Sequence, residues 1–310
     1  MLSKLSLVKK YNETHNIINL FGIKLKFPKP EIIRARRQLP YENYKKNNID
    51  ITIIPPAKGT LRKVQKANLA LLKELDFVCK QNNLTYWLDF GTLLGAYRHS
   101  GFIHWDDDID VGMLREDYNK IIEAFKETSR NPDIYADYVR CPNNTCQIII
   151  KVQHKKCPHL FVDIFPYDYY NKHLTKIQQE NKTIKIKTLR ESMQQSCSLE
   201  DSDIQILKLI EKNLIKNESD QISDLVWGID FNHHWKNWFF GYKQIFPLKE
   251  IKFEQFQFPC FNKHKKYLEK VYGNYMEYPK KFGYGHSMFT KFTTEEENII
   301  KELAKSVEAL

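Results

Sequence analysis

Asp106, Asp107, Asp108 and Asp110 place four carboxylates within five residues, with Asp89 a short way upstream. So much negative charge in one place is stable only where something positive binds. Asp108 and Asp110 follow the two-residue period of a strand, so both project from one face while Ile109 points into a core. Two carboxylates on one face suit Mg2+ or Mn2+, hard cations that take oxygen ligands. Asp163, an isolated acid in the apolar run Phe161-Val-Asp-Ile-Phe165, completes a carboxylate triad if its strand lies beside the first. Its alternative is an edge strand facing water, although a charge in so apolar a run is costly unless paired. Gly91 and Thr92 close the preceding apolar run and open a helix. A bare glycine lets a phosphate approach the backbone, and the Thr hydroxyl and helix-start amides can bond to it. Arg98 offers a forked donor for a phosphate oxygen; its alternative is a solvated helix arginine. Asp106 and Asp107 fall in the turn entering the strand, where one could coordinate metal or accept a proton and the other order the loop. His99 and His104 could move a proton or simply line that turn. The chemistry such a set serves is in-line attack on phosphorus, with a metal neutralising the transferring group.

Strands and helices must hold these groups. Leu61, Val64, Ala67, Leu71, Leu72, Leu75 and Val78 recur at helical spacing, which predicts a helix over 61–81. Residues 84–90 read as a short strand, and Thr92 as the N-cap of a helix running to Arg98. Further strands are predicted at 109–113, 134–140, 145–153 and 160–166, with a helix over 116–129. Strands mixed with helices over 61–166 predict an α/β or α+β sheet domain. Residues 172–217 are charged and helical in tone, 227–310 are rich in aromatic residues, and a last helix begins at Thr294. The chain therefore divides into an N-terminal extension (1–55), a catalytic core (56–170), and a helical insert with a C-terminal region that completes the site (171–310).

The 310 residues carry a formal net charge of +10, so the acidic cluster is local and sits in a basic background. That background suits anionic substrates and membrane surfaces. It would suit nucleic acid too, but no nucleic-acid module accompanies it, so no nucleic-acid partner is expected. The six cysteines form no dense disulfide framework, which points to a reducing cytoplasm. Cys141, Cys146, His154, Cys157 and His159 have loosely ligand-like spacing without a Cys-x-x-Cys pair, so ordinary buried cysteine is the better reading than zinc. No apolar run reaches the roughly 20 residues of a membrane span. Leu20, Phe21, Ile23, Leu25 and Phe27, interleaved with lysine, could make a peripheral contact at the inner membrane face.

The segment Leu88-Asp-Phe-Gly-Thr-Leu-Leu-Gly-Ala-Tyr-Arg98, followed by His104-Trp-Asp-Asp-Asp-Ile-Asp-Val111, resembles the signature of the LicD family, which includes the core of fukutin-related proteins. Phe161-Val-Asp-Ile-Phe-Pro166 resembles its second block, and Tyr272-Gly-Asn-Tyr-Met276 with Pro279 its C-terminal block. The resemblance covers residues 60 to 285. It implies an α+β fold with a nucleotidyltransferase-like mixed sheet flanked by helices. It implies transfer of a phospho-alcohol, often phosphocholine from CDP-choline, onto a sugar hydroxyl of a cell-surface glycan, a lipopolysaccharide or a lipid-linked glycan. Carried onto this chain, Gly91 and Thr92 would hold donor phosphates, Asp108 and Asp110 the metal, and Asp163 the place of the third carboxylate. A choline head group would need aromatic walls, for which Trp87, Trp105, Tyr167, Tyr169 and Tyr170 are at hand. The alternatives are a nucleotidyltransferase or sugar-phosphate transferase using the same carboxylates, and a non-catalytic glycan-binding protein on the same fold.

Overall fold

The computed structural model describes residues 6–10, 15–20, 23–28, 40–140, 148–171, 175–196, 222–229, 237–283 and 290–308. Strands β1 (Ser6–Lys10), β2 (His15–Leu20) and β3 (Ile23–Pro28) pair antiparallel in that order. Of the residues considered for membrane contact, Leu20 ends β2 and Ile23, Leu25 and Phe27 lie on β3, while Phe21 lies outside the described residues. Helix α1 (Pro40–Lys46) and the segment after it pack on the main core, where Tyr41, Ile51 and Ile54 are buried. Helix α2 (Gly59–Gln81) buries the apolar stripe read from its spacing, including Val64, Leu71, Leu75 and Val78. Each such side chain contributes roughly 1.5–3 kcal/mol.

Next come β4 (Tyr86–Leu88), α3 (Phe90–His99) and β5 (Ile109–Leu114), then the short helices α4 (Arg115–Tyr118) and α5 (Ile121–Thr128). The helix expected over 116–129 is therefore two pieces, interrupted at Asn119 and Lys120. Arg115, at the start of the first piece, turns inward to a buried two-pronged pairing with Asp168, both bonds 2.8 Å. Strands β6 (Ile134–Arg140), β7 (Ile148–His154) and β8 (Cys157–Asn171) follow, then α6 (Lys176–Ser196). Residues 172–174 and 197–217 of the expected helical insert lie outside the described residues, as do Cys141 and Cys146. The C-terminal region supplies β9 (Ile222–Trp227), β10 (Trp238–Gly241), α7 (Tyr242–Ile245), the hairpin β11 (Lys249–Phe253) and β12 (Phe256–Cys260), α8 (His264–Tyr272) and α9 (Thr294–Glu308).

The central sheet is seven-stranded and mixed, which makes the fold α+β. Its long strand β8 runs parallel to β5 on one side and antiparallel to β7 and then β9 on the other. Leu160, Val162 and Ile164 of β8 are fully buried, so Phe161, Asp163 and Phe165 face the opposite way. In β5 the same alternation buries Ile109, Val111 and Met113 and turns Asp110 outward. Helices α2 and α9 pack together, while β12 lies against β4 and α8 against α3. The C-terminal region is thereby laid over the start of the acidic segment. Among the described residues no helix is long and apolar enough to cross a membrane.

Candidate active site

The parallel pairing of β5 and β8 sets Asp110 directly opposite Asp163. The two acids therefore lie on one face of adjacent strands, the placement the sequence made conditional on neighbouring strands. Strand β5 begins at Ile109, so Asp108 stands just outside it, in the loop with Asp106 and Asp107. One carboxylate oxygen from each of Asp106, Asp107 and Asp108 comes within 4.8 Å of the others, a spacing that could hold a metal ion. Burial, and after it Asp108 and the other neighbouring carboxylates, push Asp106 well above the ordinary range. Burial does the same to Asp110, reinforced by Asp108, Asp163 and Asp89. The loop and the sheet row are thus one field of like charge.

Two polar residues of α2 hold that loop. Gln65 donates to the carbonyl of Asp106 at 2.7 Å. Asn68 donates to the carbonyl of Asp107 at 2.6 Å and accepts from the amide of Phe161 at 3.0 Å, so one amide side chain ties the acidic loop to β8. Both residues are almost wholly buried. Nothing in the helical periodicity separates them from surface polar residues, which is why the sequence did not reveal them.

Helix α3 starts at Phe90, with Asp89 as its N-cap, and not at Thr92 as read from sequence. Asp89 accepts from the Phe90 amide at 2.9 Å, from the Tyr167 hydroxyl at 2.7 Å, and from the Tyr267 hydroxyl of α8. Thr92 lies inside the first turn, where its hydroxyl accepts from the amide of Asp110 at 2.7 Å. Thr92 is therefore buried and ties the helix to β5, in place of presenting a free hydroxyl. Gly91 does lie beside the acids: a Cβ there would come 3.6 Å from Asp106 Oδ2 and 3.8 Å from Asp110 Oδ2.

Burial raises the Asp89 carboxyl to about 6, against the pull of its three donors. The folded chain then holds this proton more tightly than the unfolded chain, whose value is about 3.9. The resulting stability is fully present below about pH 4 and is lost as pH rises through about 6. Asp89→Asn should therefore reduce the fall in melting temperature between those values. A variant whose melts keep the full wild-type slope would assign the titration to other acids.

A cleft of about 460 Å³ opens beside the cluster, with Gly91, Arg98, Trp105, Asp106, Tyr272 and Tyr278 in its lining. Arg98 is buried and bonds to His99 Nε2 at 3.0 Å and to the carbonyl of Tyr275 at 2.8 Å. Its guanidinium lies 5.7 Å from the Trp105 ring centre, and burial lowers its pKa to about 10. Among the described residues no carboxylate pairs with it. Burial lowers His99 to about 2 and His104 to about 4, so both imidazoles are neutral near pH 7. Of the aromatic residues named from sequence, Trp105 lines the cleft. Trp87 and Tyr167 are instead core residues packed edge to face at 5.1 Å, Tyr169 is half-buried, and the side chain of Tyr170 lies outside the described residues. Tyr272 and Tyr278 take their place in the lining.

Residues 83–207 match the family model for the LicD/FKTN/FKRP nucleotidyltransferase domain. These residues form a LicD-family domain within the chain. The chain is 29% identical over 251 residues to the lipopolysaccharide cholinephosphotransferase LicD of Haemophilus influenzae, covering 72% of this chain and 93% of that protein. It is 31% identical over 104 residues to human ribitol 5-phosphate transferase FKRP, covering 32% of this chain and 20% of that one. An uncharacterized protein of Rickettsia typhi is 36% identical over 104 residues, covering 32% of this chain and 34% of its own length. The LicD and FKRP relatives are, by their names, transferases of phosphate-containing groups. The donor set of this chain fits a divalent cation, because the clustered ligands are carboxylate oxygens whose mutual repulsion a hard cation would relieve.

Proposed function

We propose that this chain transfers a phospho-alcohol of the phosphocholine type from a CDP-activated donor to a sugar hydroxyl of a cell-surface glycan or lipopolysaccharide. The observation that carries the proposal is the cleft, where Asp106 of the carboxylate cluster and a buried arginine, with no carboxylate partner among the described residues, face one space. The names of the relatives, a lipopolysaccharide cholinephosphotransferase and a ribitol 5-phosphate transferase, support transfer of a phospho-alcohol.

Asp108, Asp110 and Asp163 would hold Mg2+ or Mn2+, with Asp106 and Asp107 beside them. When bound, the cation neutralises the donor pyrophosphate and the charge that grows on the leaving group. Gly91 leaves room for a phosphate against the start of α3. Arg98, in the lining of the same cleft, would direct donors at a phosphate oxygen. The acceptor hydroxyl attacks the phosphorus that bears the alcohol, its proton passes to a carboxylate of the 106–108 loop, and a new P–O bond forms. The pyrophosphate P–O bond breaks and CMP leaves. Trp105, Tyr272 and Tyr278 offer ring faces to a quaternary ammonium. The active site would work at the inner face of the membrane, in the cytoplasm, where CDP-activated donors and lipid-linked acceptors meet.

A thermal-shift panel of CDP-alcohols and other nucleotide donors, with and without Mg2+, tests the donor class. Stabilisation by a CDP-alcohol that depends on the cation is the expected result. Release of CMP with a phospho-alcohol adduct should follow; an acceptor carrying a nucleotide would overturn the reading in favour of nucleotidyl transfer. Arg98→Ala should weaken donor binding by about ten- to a hundredfold, the scale of one charge-assisted contact. Donor titration by calorimetry would check this, and unchanged affinity would remove Arg98 from the phosphate contacts.

A further inference from the structure

Strand β7 contributes a side chain that the transfer scheme leaves unused. Lys151 stands opposite Asp163, which stands opposite Asp110, so one row across β7, β8 and β5 reads Lys-Asp-Asp. Directly paired residues share a face of the sheet. The Lys151 ammonium lies 2.7 Å from Asp163 Oδ1, with the two side chains 15% and 13% exposed. It also lies 3.7 Å from the centre of the Phe161 ring. Ile149, two residues away on the same face of β7, is buried and Phe161 lies against the ammonium, so a lysine here has apolar neighbours and its charge is costly unless paired. Its charge also works against the repulsion felt by Asp110.

Resting on the metal-dependent reading above, we propose that Lys151 is a fixed counter-charge of the cation site: it occupies one oxygen of Asp163 and limits the cluster to one divalent cation. Two-cation sites hold their ions about 3.5–4 Å apart and need carboxylates shared between them. Asp163 shares both oxygens only if the ammonium is displaced, and that would strand a charge in a largely buried place, which is expensive. Lys151 and a second divalent cation therefore compete for one position. The residue is a positioning group, since it acts through Asp163.

Mn2+ titration of the full chain, with free Mn2+ read by electron paramagnetic resonance, tests this without recourse to turnover. The wild type should bind one Mn2+ per chain. Lys151→Met should bind its first Mn2+ at least about tenfold more tightly, because a repelling charge is gone, and should take up a second. Lys151→Arg keeps the charge and should keep the wild-type affinity and number; Lys151→Gln serves as a second neutral variant should the methionine chain not fold. Two Mn2+ in the wild type, or neutral variants that bind Mn2+ no more tightly than the wild type, would overturn the proposal while leaving the metal-dependent reading intact. A wild type that binds no Mn2+ at all would overturn both.

Discussion

Asp110→Asn should lower transfer at least about a thousandfold, equivalent to about 4 kcal/mol of lost transition-state stabilisation, while the chain folds normally. Asp110 leaves the sheet between buried Ile109 and Val111, directly opposite Asp163. Its main-chain amide is fixed by Thr92 and its carbonyl accepts from the amide of Asp89 at 3.0 Å. The side chain is thus aimed by backbone contacts that asparagine keeps. What asparagine loses is the negative charge, and with it the capacity to compensate a divalent cation. The same substitution removes one member of a repelling group. The melting temperature of the metal-free variant should therefore equal or exceed that of the wild type, while the stabilisation by Mg2+ should shrink. That pairing separates a ligand from a structural acid: a purely structural Asp110 would lower stability and leave the Mg2+ response intact. Turnover at the wild-type rate in Asp110→Asn, or in Asp108→Asn, would remove the metal assignment.

Asp163 was legible as an acid interrupting an apolar run, whereas the strand period read for Asp108 and Asp110 holds only from Ile109 on, because Asp108 belongs to the preceding loop. The helix over Gly59–Gln81 was legible from its apolar stripe of period 3.6. Local chemistry was less clear where a tertiary partner decides the outcome. Thr92 has the composition of an N-cap, but Asp89 takes that place because Tyr167 and Tyr267 arrive from β8 and α8 to support its carboxylate. Trp87 and Tyr167 share the sheet face of Asp110 and Asp163 but are buried there, because Phe246 and Phe261 of the C-terminal region pack over them. Trp105 comes from the acidic loop, whereas Tyr272 and Tyr278 reach the cleft from the C-terminal block, far away along the chain. Lys151 lies on a strand recognised for its apolar residues, and only the register of β7 on β8 brings it to Asp163. Residues 40–54, grouped with the N-terminal extension, include Tyr41, whose hydroxyl donates to the carbonyl of His104 at 2.7 Å. That contact joins distant segments and has no local sequence signal.

Gly95→Ala should cost about 2–4 kcal/mol of stability, although alanine at a helix interior ordinarily gains about 1 kcal/mol over glycine. A Cβ at Gly95 would lie 2.4 Å from the carbonyl oxygen of Gly101, 2.8 Å from the amide nitrogen of Ile103 and 3.1 Å from the carbonyl carbon of Phe102. All three are backbone atoms, so no side chain can rotate away. The loop cannot retreat freely either. Gly101 packs against Glu254, which bonds to Arg62 and, through its amide, to the carbonyl of Ser100 at 2.8 Å. Further along, Gln65 and Asn68 hold Asp106 and Asp107 by their carbonyls. Any shift that accommodates the methyl group is consequently passed to the carboxylates, and Mn2+ binding should weaken along with stability. Gly283→Ala provides the contrast: nothing lies within 4 Å of a Cβ there, so its unfolding curve in urea should overlay the wild type. A Gly95→Ala chain as stable as the wild type, with Mn2+ binding unchanged, would mean that the acidic loop is not held against α3 by this close backbone approach.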